Sequence, residues 1–247
     1  MVGSRRAHRL QCGTVPASRI LTIGFILLAL AVAGAAVAVV HVALRRRSTT
    51  LRTALAIAGV LGLTALLAAT GALRFDTTPP TMLVCIAVTL AATAGLGLSR
   101  FGAELASATP LALLVAFQAF RLPLELLLHR AANEGVMPVQ MSFEGWNFDI
   151  VTGSSAILVA FALSRMRSEG ARRALAGVWN VVGSVLLAVI VTVAMLSTPT
   201  PIRVFHNDPP NDWIARFPFV WLPELFVALA LLGHLLVFRR LRRAAGR

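Results

Sequence analysis

Seven apolar runs, each close to the length that crosses a bilayer, follow one another along this chain with little between them. They lie near 20–43, 51–73, 79–98, 109–129, 148–164, 174–197 and 217–238. A hydrocarbon core about 30 Å thick takes roughly 20 helical residues to span. No run alternates apolar and polar residues with the period of two that a membrane barrel strand requires. Helices remain, because backbone that faces lipid must satisfy its hydrogen bonds within its own segment. The sequence therefore predicts an all-α fold, a polytopic transmembrane helical bundle of about seven spans, with six to eight compatible with 247 residues. Residues 1–19 read as an N-terminal tail, 20–238 as a single transmembrane domain and 239–247 as a basic cytoplasmic tail.

Composition agrees. Hydrophobic residues make up 57% of the chain and charged residues 13%, against about 45–50% and about 25% in soluble domains. So little charge cannot clothe a water-facing surface, and lipid is the solvent that needs none.

The charge that is present is informative in kind. All 23 basic residues are arginine, and the chain has neither lysine nor tyrosine. Without a lysine amine there is no retinal Schiff base and no phosphate-gripping P-loop, so both cofactor classes are disfavoured. The net charge of +13 does not point to nucleic acid, because the arginines sit in short clusters between apolar runs. Fourteen fall after the first, third and fifth spans and in the C-terminal tail, including Arg45, Arg46, Arg47 and Arg52. Eight fall on the other side, four of them in the N-terminal tail. The positive-inside rule then puts the C-terminus in the cytoplasm and the N-terminus outside. The expected partner at the Arg-rich side is the anionic headgroup layer of the bilayer.

The fourth run carries the strongest polar signal. Gln118, Arg121, Glu125 and His129 recur at spacings of three and four, which aligns them on one helical face. An ionised side chain deep in a membrane costs at least about 2.5–3.5 kcal/mol and so faces a partner or a wet cavity. Pro123 lies inside this stripe, where it removes a backbone donor opposite Ala119 and favours a kink. Glu224, also beside a proline, is a further intramembrane acid. A Glu125–Arg121–Glu224 cluster would carry net negative charge unless one acid held a proton. The competing expectation is that Arg121 simply neutralises Glu125 one turn away, or locks helices together through Glu224.

Other polar residues read as structural. Gly177, Asn180, Ser184, Ala188 and Thr192 share a stripe suited to a close helix seam. The stretch Thr152-Gly153-Ser154-Ser155 reads the same way, and Asn147 and Asp149 suit the start of the fifth helix. Trp146 and Trp213 suit the interfacial belt. The loop from His206 to Trp213, with Pro209 and Pro210, suits an ordered turn, or a lid over the outer mouth. Cys12 and Cys85 have no metal-ligand spacing.

His129, His206 and Asp208 form a weaker candidate metal site at the outer boundary. His41 and His234 look interfacial, and the histidines offer no paired axial haem ligands at one depth. The paired histidines that ceramidase-type membrane hydrolases carry on a late helix are also missing. The leading expectation is a membrane protein that binds or moves a small polar solute or ion through an externally open pocket. Gln118, Arg121, Glu125, His129 and Glu224 would line it. The alternatives are an enzyme with an outer-face His/carboxylate site and a non-catalytic scaffold or complex subunit.

Overall fold

A computed structural model describes residues 15–245, with side chains to residue 242. The arginines at 5, 6 and 9, together with His8, Cys12 and Arg247, lie outside the described residues. The described residues are mostly helical, and no strand occurs among them.

The first crossing is α1 (Arg19–Leu44). Ser18 caps it, its hydroxyl accepting the Leu21 N–H at 3.2 Å. Arg45, in the left-handed region at φ 50°, turns the chain directly into α2 (Arg47–Ala69). This helix begins and ends earlier than the 51–73 expected from hydropathy. Ser48, Thr49 and Thr50 belong to its first turns, and Gly71, at φ 68°, stops it. The third crossing, α3 (Thr81–Leu98), leads into a short amphipathic helix α4 (Arg100–Ala108) capped by Ser99.

The fourth crossing is broken in its middle. It comprises α5 (Leu111–Phe117), a 3₁₀ turn (Gln118–Phe120) and α6 (Arg121–Asn133). Pro123 accounts for the break: lacking an N–H, it is tolerated in the first turn of a new helix rather than in the interior of an old one.

The fifth crossing is α7 (Asp149–Arg165), and the sixth is α8 (Glu169–Leu196), capped by Ser168. The last begins as a π turn (Leu222–Val227) and continues as α9 (Ala228–Ala245). Six of these crossings are long and apolar enough to span a bilayer. The seventh, α7, has 17 residues, the lower end of the spanning range of about 17–25.

Side-chain ties collect the helix ends into two groups. At one end Arg46 pairs with Glu104 at 2.8 Å, Arg239 donates to the carbonyls of Gly97 and Ser99, and Arg173 donates to Leu241. At the other end Ser18 donates to Glu134, and Gln140 bridges Ser197 and Asn207. The helices thus alternate in direction, with the arginine clusters at one end and the long loops at the other.

The surface is apolar as well as the core. Leu27, Leu30, Leu55, Leu63, Leu158 and Val178 are all more than half exposed, a degree of apolar exposure that a water-soluble monomer does not sustain. The interior at the loop end is aromatic. The Phe25 ring makes edge contacts with Trp213, Phe219 and Phe226 at centroid distances of 6.4, 5.2 and 5.4 Å. Trp213 is completely buried there, which corrects its expected place in the interfacial belt, whereas Trp146 stays exposed. The loop is therefore stapled into the bundle: Trp213 fills the core, and Asn211 donates to the Ala194 carbonyl at 2.9 Å.

Candidate polar site in the bundle core

The break before α6 positions the site. Restarting the helix at Arg121 leaves Gln118, Arg121 and Glu125 facing inward, all at 2% exposure or less. The stripe divides after them. His129 is partly exposed and stacks on Phe143 at 4.4 Å, with Asn133 donating to its Nε2 at 3.0 Å.

Arg121 finds its counter-ion on α7. Its Nε lies 3.1 Å from Asp149 Oδ2, and both side chains are buried. Gly153, one turn along α7 from Asp149, makes this approach feasible. A β-carbon there would run into the Leu122 amide nitrogen and stand 2.9 Å from the Arg121 carbonyl carbon. The two backbones touch because one of them has no side chain.

The other arm of the guanidinium reaches α9. Arg121 Nη1 lies 3.0 Å from His234 Nε2. A guanidinium only donates, so Nε2 accepts and the imidazole proton resides on Nδ1. That proton goes to Asn180 Oδ1 on α8 at 2.8 Å, and Asn180 Nδ2 donates in turn to the His234 carbonyl at 3.2 Å. Here again a glycine sets the distance, for a β-carbon on Gly183 would sit 2.7 Å from His234 Cε1. Gln118 adds a bond to the Ala230 carbonyl at 3.4 Å.

Glu125 occupies the opposite flank. Its Oε2 accepts from Asn147 Nδ2 at 2.6 Å. Asn147 also donates to the Met141 carbonyl, and its Oδ1 accepts the Asp149 N–H at 3.1 Å. Asn147 thus performs the helix-start role expected of it and orients an acid as well. Asp149 is not only a helix-start residue but the buried partner of the membrane arginine.

Between these groups lies a cavity of about 60 Å³, lined by Arg121, Glu125, Asn147 and Asp149 and by apolar side chains of α8 and the π turn. Arg121 Nη2 and Asp149 Oδ1 are buried with no hydrogen-bond partner among the described residues. A water molecule needs on the order of 10–15 Å³ of such volume and two to four polar partners. The site can therefore hold a few waters or one small ion, but no larger solute.

Several expected groupings do not form. Arg121 makes neither a hydrogen bond nor an ion pair with Glu224, nor an ion pair with Glu125. Glu224 lies in the π turn that precedes α9 and accepts from Thr89 on α3. Proline at position 223 supplies no N–H to the preceding turn, which suits the wider π geometry.

His129, His206 and Asp208 are also separate. His206 borders a surface cleft beside Phe75 and Asp76, and Asp208 stands 4.0 Å from Arg203. Among the described residues no three His, Cys, Asp or Glu side chains are close enough to share a metal ion.

The seam of α8 runs through Ala176, Trp179, Asn180, Gly183 and Leu187. Of the stripe read from the sequence only Asn180 lies on it, while Ala188 and Thr192 face outward. His234, expected at an interface, is 2% exposed in the middle of the network. The rule that singled out Arg121, an ionisable residue inside an apolar run, would have singled out His234 too.

Fold and packing together define a multi-pass, all-α membrane protein built around a buried charged network. Within that class the chain belongs to the family described as a domain of unknown function, DUF8737, whose pattern matches residues 78–242. The match takes in every residue of the network and leaves α1 and α2 outside it. No curated protein and no solved structure matches the chain.

Proposed function

We propose that this membrane protein exchanges a proton, or a small monovalent cation in its place, at the Glu125 carboxylate in the bundle core. The observation that supports this most is a charge imbalance. Two buried acids, Glu125 and Asp149, face one permanent cation, Arg121. Asp149 is committed to Arg121, whereas among the described residues the hydrogen-bond partner of Glu125 is the neutral amide of Asn147. The cluster is neutral only when it holds one further positive charge. An isolated charge in a low-dielectric interior is costly enough to ensure that it does.

The size of the adjoining cavity narrows the broader solute reading to protons, water and small ions. A neighbouring cavity of about 50 Å³ shares Met141, Val191 and Ala194 as lining and extends towards Asn211. This supports access from the end that carries the long loops. That end is the external one in this proposal, and the Arg-rich end, with the C-terminus, faces the cytoplasm and its anionic headgroups.

The test is proton flux into vesicles reconstituted with the full chain, read by a trapped pH indicator under an imposed potential. Flux that falls to background in Glu125→Gln, with the melting temperature held, is the expected result. Wild-type flux at background, or flux untouched by Glu125→Gln, removes the proposal. The network would then serve assembly, as in a scaffold.

A further inference from the structure

A second space in the molecule lies away from the polar network. A cavity of about 510 Å³ opens at the Arg-rich end between α1, α2, α4, α5 and α9, within the range of roughly 300–1,000 Å³ typical of small-molecule sites. It has two chemically distinct ends. Towards the middle of the bundle its walls are apolar, with Ile57, Phe117 and Leu229 among them. At the mouth stand Arg46, Arg52, Thr49 and Thr53, with Glu104 as the single acid.

Glu104 is already paired with Arg46 at 2.8 Å. Arg52 is exposed and, among the described residues, makes no hydrogen bond or ion pair. The first turn of α2 beside it carries no capping side chain and no acidic residue, so its free amides also favour an anion. The flanking Arg45 and Arg47 are exposed as well.

The outer wall of the cavity is α2, whose spanning window is only 11% buried. This helix is held beyond its midpoint by the Trp221 indole, which donates to the Leu61 carbonyl at 3.1 Å. The space is therefore walled inwardly by the bundle and outwardly by one loosely packed helix.

We infer that this cavity is the binding site of one anionic membrane lipid. An acyl chain fills the apolar end along Ile57, Phe117 and Leu229, and the headgroup phosphate sits between Arg52 and the Thr49 hydroxyl. Charge complementarity commits the site to an anionic head. The mouth carries net positive charge with one arginine unpaired, and a zwitterionic head would bring a second cation towards Arg52. Because α1 and α2 lie outside residues 78–242, this site belongs to the junction between those two helices and the family domain.

The test uses the full chain, delipidated in detergent and then offered phosphatidylglycerol or phosphatidylcholine of identical acyl composition. Retained lipid is counted by native mass spectrometry, with inorganic phosphate alone as a further arm. The expected result is one retained phosphatidylglycerol, preferred over phosphatidylcholine. Arg52→Ala should reduce that preference about fivefold, the effect of one arginine on an anionic lipid. Ala56→Phe, at an exposed position that lines the cavity, should abolish retention without lowering the melting temperature. Equal retention of the two lipids, or a preference untouched by Arg52→Ala, overturns the inference. So does retention of phosphatidylglycerol in Ala56→Phe, and competition by inorganic phosphate alone would show that no acyl chain is bound.

Discussion

Asp149→Ala tests the network at its most exposed assumption, that a membrane arginine depends on one carboxylate from a neighbouring helix. Arg121 is 1% exposed and Asp149 5%, with Nε and Oδ2 3.1 Å apart. At an effective dielectric of about 20, charges at that distance attract by on the order of 5 kcal/mol. The variant loses this attraction while Arg121 remains out of water, so the single change should cost about 3–5 kcal/mol. The bond to His234 and the field of Glu125 keep it from costing more. Replacing both partners, as Arg121→Met with Asp149→Ala, should recover much of the loss, because a buried ion pair exchanged for apolar groups is often close to neutral. The resulting coupling energy should be about 2–3 kcal/mol, high for residues in contact. Reversible unfolding in mixed micelles, with all four members of the cycle measured in one detergent, gives these values directly. A cost below about 1 kcal/mol for Asp149→Ala, or strict additivity in the double variant, would falsify the pairing.

Two further perturbations probe the supports of the fold. Gly153→Ala places a methyl group against the backbone at Arg121 and Leu122, where no side chain can swing aside. It should cost at least about 1–3 kcal/mol, read as a lower melting temperature, and an unchanged melt would mean that α6 and α7 are not in backbone contact. Glu134, outside the spans, titrates below the ordinary carboxylate range. Burial alone would raise it, but hydrogen bonds from the Ser18 hydroxyl and N–H and from Arg130 outweigh that effect. A depressed acid contributes stability that is present above its unfolded pKa, about 4.3, and lost as pH falls through the folded value. Melting temperatures taken from pH 7 down to pH 3 should therefore drop in the wild type and flatten in Glu134→Gln. Parallel curves for the two proteins would show that this carboxylate does not hold the start of α1.

The spans were legible because lipid imposes a simple rule: every run of about 20 apolar residues must be a helix. Misplaced ends trace to local chemistry that hydropathy does not weigh. Polar Ser48 to Thr50 still extend α2, and Gly71 stops it. The inward stripe of Gln118, Arg121 and Glu125 was legible from its spacing, and Asn180 from its isolation within an apolar helix. Asp149 was not. It stands at the first position of its helix, where a dipole-stabilising role and an ion pair leave the same trace in sequence. His129 differed for a geometric reason. Residue 128, not 129, continues the buried face once the helix restarts after the 3₁₀ turn.

Sequence alone determined that this chain is a bundle of membrane helices with arginines gathered at one end and that Arg121 must be buried with a partner. Both follow from one-dimensional quantities, the length of apolar runs and the cost of a charge in hydrocarbon. Which partner Arg121 takes was decided only in three dimensions. Glu125, Asp149, Glu224 and His234 were all available on helices of similar character. The choice fell to Asp149 and His234 because Gly153 lets α7 touch α6 and Gly183 admits the imidazole. Glu224, turned towards Thr89 by the π turn, was left to α3. Pairing among helices depends on how closely their backbones approach, and that distance is set by the missing side chains of two glycines on other helices.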